Sequence, residues 1–434
     1  MTSWQGRRVS KRGLARSRCL YCPEMSCAGC GVCQLRMVNK IMKRFVIVAF
    51  SASPPGTMGG NTKIAIEMAR HLQAFGWEVA VVVPRGKLAT FTDNVSQSNQ
   101  IEYWTVPDFN GNEFLLPISS SLHYRREIKS VFQDHSVGAG DIIFAICNFH
   151  VDILPLFGLK RQFGFTYIAS HFLFLPFIVE NLRNKYKFPV LKYLIGWFYE
   201  RILFVLAKMQ ADAFVITNDS DRVHFSKTWR NRLFPFYGGV NVDQIPHGGM
   251  PKMRDVVFCS RLHQQKGIDG FLDIWKMVKM VCPKAHFTVI GNGERGYERY
   301  LKDKAKRLGV ADSIDWLGYV NNEAKYVIYS SARVMVHPTV FDNNGMVAAE
   351  ALCSGLPVVM YDLPALRHVY TTGCVKVPFG NKKAFAEEVV KLLSDDSYRV
   401  GVAPTAQEVN DLRNHWDWPH RVSIFAEWIE NLNG

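Results

Sequence analysis

The 434-residue sequence has no run of about eighteen uninterrupted apolar residues, so nothing in it reads as a membrane-spanning helix. Its first residues are basic and polar and lack the apolar stretch of a secretory signal, which makes a cytoplasmic protein the expectation. No internal repeat or low-complexity segment is evident, so a repeat architecture is not indicated. There is no G-x-G-x-x-G, and a dinucleotide fingerprint is therefore unsupported. Acidic residues are in short supply: 38 Asp and Glu face 52 Lys and Arg, a net charge of +14.

That excess invites a nucleic-acid partner, but its distribution argues against one. Residues 1–43 hold nine Lys and Arg against one acid, +8 of the total, which leaves +6 for the rest. A second basic concentration lies in residues 160–208, where eight Lys and Arg stand against Glu180 and Glu200. There the cations, Arg183, Lys185, Lys187 and Lys192 among them, interleave with aromatics, a composition suited to an anionic membrane surface. The same residues could simply pack inside an N-terminal domain, and the sequence leaves both readings open.

Five of the ten cysteines crowd the first 33 residues: Cys19, Cys22, Cys27, Cys30 and Cys33. Paired C-x-x-C units are good zinc or iron–sulfur ligands. The interval between these pairs is very short for a zinc ribbon, and no strand or helix pattern surrounds them. Residues 1–43 therefore read as a basic extension without metal, disordered or, over residues 1–36, no part of the native product. Cys147, Cys259, Cys282, Cys353 and Cys374 sit among apolar neighbours like buried thiols.

What is present is an alternation. From Arg44 onward short apolar runs alternate with amphipathic segments, which signals an α/β fold with parallel sheets. A hydrophobic content of 48% and 434 residues suffice for two or three domains with sizeable cores. FVIVAF and WEVAVVVP read as buried strands around the amphipathic helix NTKIAIEMARHLQAFG. The loop before that helix ends in Gly59 and Gly60, where backbone amides can approach an anion. FTYIASH reads as a strand closing on His171, and DIIFAICNFH as one closing on His150; ligands gather at such carboxyl ends. Asp219-Ser220-Asp221 has the D-x-D form of a metal site, but it lies between a strand and a helical run and reads as a helix cap.

Residues 341–359, FDNNGMVAAEALCSGLPVV, set two carboxylates, Asp342 and Glu350, on either side of a helix start. Carboxylates so placed suit the hydroxyls of a sugar and of a ribose, which they hold by charge-assisted hydrogen bonds. In CSRLHQQKG, Arg261 and Lys266 follow a strand and precede a helix, so both cations can reach a diphosphate beside the helix's positive end. FTVIGNGER puts Gly291, Gly293 and Glu294 after another strand, and SIDWLGYV and the VHPT of residues 336–339 complete the set.

These five pieces resemble, in order, the motifs of the retaining family 4 glycosyltransferases of the GT-B fold. Asp342 takes the place of the usual first Glu, while Gly345, Glu350, Ala351, Gly355, Pro357, Val358 and Val359 match. The resemblance implies two Rossmann-like domains facing across a cleft. Residues 44–247 would bind the acceptor, residues 248–415 a nucleotide sugar, and residues 416–434 would form a helix crossing back. It implies transfer of a sugar, with retention, from a UDP- or GDP-linked donor to a glycan or lipid-linked acceptor, in bacterial surface polysaccharide or lipopolysaccharide synthesis. No metal or cofactor is implied, and the enzyme would work in the cytoplasm, with an anionic membrane surface as a candidate partner.

On that resemblance Arg261 and Lys266 take the charge of the leaving diphosphate, Asp342 contacts the sugar and Glu350 the ribose. Backbone near Gly345, Met346 and Val347 assists; Gly59, Gly60, Gly291 and Gly293 line the donor; and His171 meets it near the reacting carbon. The alternatives are a nucleotide-sugar 2-epimerase of the same fold, an inactive scaffold, and a basic nucleic-acid-binding protein.

Overall fold

The computed structural model describes residues 44–95, 100–113, 115–175 and 190–432. The cysteine cluster of residues 19–33 and Arg183, Lys185 and Lys187 lie outside them, as does the side chain of Lys192.

Two wholly parallel sheets carry the fold. The first runs β3-β2-β1-β4-β5-β6-β7, with β1 Arg44–Val48, β2 Glu78–Pro84, β3 Glu102–Val106, β4 Ile142–Ala145, β5 Thr166–His171, β6 Ala213–Ile216 and β7 Leu233–Pro235. The second runs β10-β9-β8-β11-β12-β13, with β8 Arg254–Cys259, β9 Phe287–Ile290, β10 Ile314–Gly318, β11 Ala332–His337, β12 Val358–Tyr361 and β13 Cys374–Val377. The strands are near-continuous apolar runs because helices cover both faces; Phe45, Val46, Ile47 and Val48 are all fully buried, alternating between two cores. Each sheet reverses its order beside its first strand, at β1/β4 and β8/β11. Carboxyl ends at such a reversal form a crevice for ligands. The expected α/β architecture of two Rossmann-like sheets is thus present.

Seven helices position the site: α1 Gly60–Ala74, α2 Pro117–Asp134, α3 Val190–Lys208, α4 Asn322–Ser330, α5 Met346–Cys353, α6 Ala406–Trp416 and α7 Trp418–Leu432. The last is the crossing helix. It buries Val422, Phe425, Ala426 and Ile429 against the first sheet, with the Phe425 ring 5.9 Å from Phe45 and 5.3 Å from Phe234. By contrast α6 belongs to the second domain, where Trp416 stacks on Tyr370 at 5.8 Å.

The chain passes between the sheets twice, and the two passages run side by side. Val240 bridges to Asp417, and the Val240 N–H donates to Trp416 O at 2.7 Å. Gly239 makes the approach possible: a Cβ there would stand 2.5 Å from the Trp418 ring.

Candidate active site

Three loops leave the carboxyl ends of β8, β9 and β11 and pack backbone to backbone. Glycine is what lets them. Gly267 has φ +70° and a Cβ on it would lie 1.9 Å from Pro338 O; at Gly291, φ +127°, the clash would be with Ser260 O at 2.0 Å. A Cβ on Gly293 would meet Leu262 O at 2.3 Å, and Leu262 and Gly293 pair as a bridge. No side chain fits there, and φ in this range suits glycine alone. Between these loops Arg261 stands exposed, forming no ion pair among the described residues.

Lys266 ends the same turn, and its Nζ lies 2.6 Å from Asp342 Oδ2. The other carboxylate oxygen, Oδ1, accepts the N–H groups of Asn344 at 3.2 Å and Gly345 at 3.3 Å. These two bonds shape the turn that places Gly345, φ +63°, at the start of α5. Tyr370 braces it further, donating its hydroxyl toward Asn344 O and Gly345 O at 2.7 and 2.9 Å. Burial raises the Asp342 carboxyl, but neighbouring Lys266 outweighs it and holds the group down at about 2. His337, 3.8 Å from Asp342, is pushed down to about 4 by its burial. Asp342 is therefore a carboxylate, with a neutral imidazole behind it.

One turn into α5, Glu350 Oε1 lies 2.8 Å from the Nζ of Lys325 on α4. Lys325 also donates to Asn322 Oδ1 at 3.1 Å and is buried. Burial disfavours its charge, but Glu350 more than compensates and its pKa is raised. The second oxygen, Glu350 Oε2, is buried without a hydrogen-bond partner among the described residues. A buried carboxylate oxygen left unpaired is costly unless something fills its lone pairs.

Residues 253–395 match the family model Glycosyl transferases group 1, and over that stretch the chain is similar to that family. The phosphatidyl-myo-inositol mannosyltransferase of Mycobacterium leprae is 32% identical over 190 residues, covering 42% of this chain and 48% of that relative. The protein of the same name from Mycolicibacterium smegmatis is 25% identical over 396 residues, 87% of this chain and 91% of the relative. The chain spans 41% and 48% of the length of the first two curated relatives it matches. Among solved structures, the Anabaena HepE protein in complex with UDP and glucose is similar with a TM-score of 0.66, covering 90% of this chain and 100% of that one at 15% identity. The architecture is GT-B.

The structure brings Arg261, Lys266, Gly291, Gly293, Asp342, Gly345, Met346, Val347 and Glu350 to the side of the second sheet where its strands have their carboxyl ends. Met346 reaches across to the first domain. A Cβ on Gly60 would lie 3.5 Å from its Cε, and one on Gly238 would lie 2.5 Å from its Sδ. Gly59 caps α1, and its N–H already donates to Ser53 Oγ at 2.8 Å. A polar contact also crosses the cleft: Asn218 Nδ2 donates to Asn343 O at 2.6 Å. Asn218 caps the short helix Asp219–His224 in a reciprocal box with Asp221, so the D-x-D does serve a helix cap. Burial pushes the Asp221 carboxyl up to about 7.

His171 lies apart from these groups. It is buried at the carboxyl end of β5, stacked on Phe174 at 3.8 Å, with Nε2 2.7 Å from Glu200 of α3. Burial lowers its pKa despite that partner. Sequence reading missed Lys325, Tyr370, Asn218 and Glu200 as site-supporting groups. Only Asn218, a polar residue directly after the strand AFVI, carried a local signal.

Proposed function

We propose that this chain moves a sugar from a UDP- or GDP-linked donor to a hydroxyl of a glycan or lipid-linked acceptor, with retention and without a divalent metal. The observation that carries the reading is the convergence of Arg261, Lys266, Lys325, Asp342 and Glu350 at one strand edge, facing Gly60 across the cleft. When the glycosidic bond to phosphate breaks, negative charge grows on the departing diphosphate. Fixed cations in a site shielded from water stabilise that charge strongly. Arg261 is ready to do so, and Lys266 can exchange part of its contact with Asp342 for a phosphate oxygen. Asp342 keeps Lys266 aimed, and it can meet a sugar hydroxyl once Lys266 turns to phosphate.

Glu350 has the matching role at the nucleoside end. Lys325 holds one carboxylate oxygen while the other stays buried and unshared, shaped for a ribose hydroxyl. His171, clamped by Glu200, serves in this proposal to brace the cleft wall at the end of β5. The HepE complex with UDP and glucose supports a nucleotide donor. The mannosyltransferases named for phosphatidyl-myo-inositol support an acceptor carried on lipid, in keeping with a role in bacterial surface glycan assembly.

A thermal-shift screen of UDP- and GDP-sugars with and without a chelator tests the donor. A true donor at about 100 times its Kd adds about 2.7 kcal/mol of stability. A melting point unmoved by every nucleotide sugar would count against the proposal. Release of free sugar epimerised at C2, with no acceptor added, would assign the epimerase alternative instead.

A further inference from the structure

Among the described residues, the outer side of α3 has no covering partner. Leu191, Ile195, Phe198, Ile202, Val205 and Met209 recur every three or four residues along it, each 56–69% exposed. The opposite face is firmly anchored: Leu203, Phe204 and Ala207 lie in the core, and Glu200 holds His171. The stripe is therefore the free side of a fixed helix. The first turns of α2 add to it, with Leu115, Ile118 and Leu122 61–77% exposed. Both helices flank the short helix His150–Ile153: Ser120 Oγ of α2 is 3.3 Å from His150 Nε2, and Tyr199 of α3 is 5.9 Å from the His150 ring. Monomeric soluble proteins rarely leave a contiguous apolar face of this extent uncovered.

We propose that this face of the first domain seats on a bilayer containing anionic lipid. Charge selects that occupant over a second copy of the chain. Lys129 and Arg161 are exposed and form no ion pair among the described residues, Arg126 is exposed but paired with Glu127 at 2.7 Å, and the exposed acid of α2 is Asp134 at its far end; Asp152 and Glu200 are buried. Two copies meeting on this face would oppose like charges; an anionic surface complements them. No described helix is long and apolar enough to cross a membrane, so α3 lies in the interfacial plane. The face also has a direction. α2 follows the carboxyl end of β3 and α3 that of β5, so the apolar stripe begins at the rim where the cleft opens. Delivery of a lipid-linked acceptor from that surface rests on the transfer reading above; the docking face itself does not.

The experiment is flotation of the full chain with vesicles of phosphatidylcholine alone or mixed with phosphatidylglycerol, at low and high salt. Wild type floats with the mixed vesicles, less so at high salt. Replacing Ile195, Phe198 and Ile202 by Gln lowers the bound fraction roughly tenfold or more. Because those side chains are exposed, the variant's melting point stays near wild type; the triple change L115Q, I118Q and L122Q repeats the test on α2. The thermal shift induced by UDP or GDP is read on the same samples. Lost flotation with that shift intact, in the variants alone, supports the face. A wild type that stays in solution with the mixed vesicles at low salt overturns it, as does a variant that floats like wild type. A wild-type dimer that the triple variant splits, without flotation, overturns it in favour of a second copy. The absence in wild type of a shift with either UDP or GDP counts against the transfer reading only.

Discussion

Lys325→Met isolates the ion pair that sequence reading did not see. Its Nζ is 2.8 Å from Glu350 Oε1, and Glu350 Oε2 already lacks a partner. Met keeps the length of the side chain but leaves the Glu350 carboxylate buried and uncompensated. Breaking such a pair costs about 3–5 kcal/mol, most of it the penalty of the stranded charge. Glu350→Gln strands the ammonium instead, and the double variant strands nothing. The double should therefore lose much less stability than the sum of the singles, with a coupling of roughly 2 kcal/mol. Urea denaturation of the four proteins measures it, and nucleotide affinity by calorimetry is read in parallel. Glu350→Gln should weaken binding by about 10- to 100-fold, since a charged acceptor for the ribose contributes about 1.5–3 kcal/mol. Additive stability losses, or unchanged nucleotide affinity in both Glu350 variants, would refute the reasoning.

Arg261→Ala and Lys266→Ala should each reduce turnover by roughly 10²- to 10³-fold, the effect of removing one fixed donor to developing charge; the melting point changes little for Arg261→Ala but falls for Lys266→Ala, which strands the Asp342 carboxylate, and near-wild-type rates in both would remove them from the mechanism. Gly267→Ala should destabilise by about 3 kcal/mol or more, because φ is +70° and Pro338 O would lie 1.9 Å from the new Cβ; an unchanged denaturation midpoint would contradict the packing described. Asp221 should give stability a pH dependence. Its carboxyl is pushed up by burial to about 7, from 3.8. The stability it contributes is complete below about pH 4 and is lost as pH rises through 7, by about 1.4 kcal/mol per unit across the window. Asp221→Asn should flatten that slope, and a variant with the wild-type pH profile would show that Asp221 does not titrate there.

The sheets were legible because runs such as FVIVAF and VAVVVP are apolar throughout, as strands covered on both faces must be. The crossing helix was legible from the family resemblance alone. The site was legible only where neighbours in sequence are neighbours in space. Asp342 and Glu350 flank one helix start, so their stretch could be read directly. Lys325 could not: it pairs with Glu350 from 25 residues away, through a contact made when α4 and α5 pack side by side. Asn218 meets Asn343 over 125 residues, and only the docking of the two domains creates that bond. At Gly59 the difficulty was the opposite. A glycine at a helix start suggests a free amide, yet Ser53, six residues earlier, folds back and accepts it. Local pattern gave no sign that a neighbouring hydroxyl had taken that donor.

In the proposed reaction Arg261, Lys266 and Glu350 together activate a nucleotide sugar. Proton NMR of the protein with a stabilising UDP- or GDP-sugar, with and without a simple acceptor alcohol, tests it most directly. The account predicts release of the nucleoside diphosphate, appearance of a product with the donor's anomeric configuration, and loss of both signals in Arg261→Ala. An inverted product, or a donor consumed as quickly by the variant as by wild type, would contradict it.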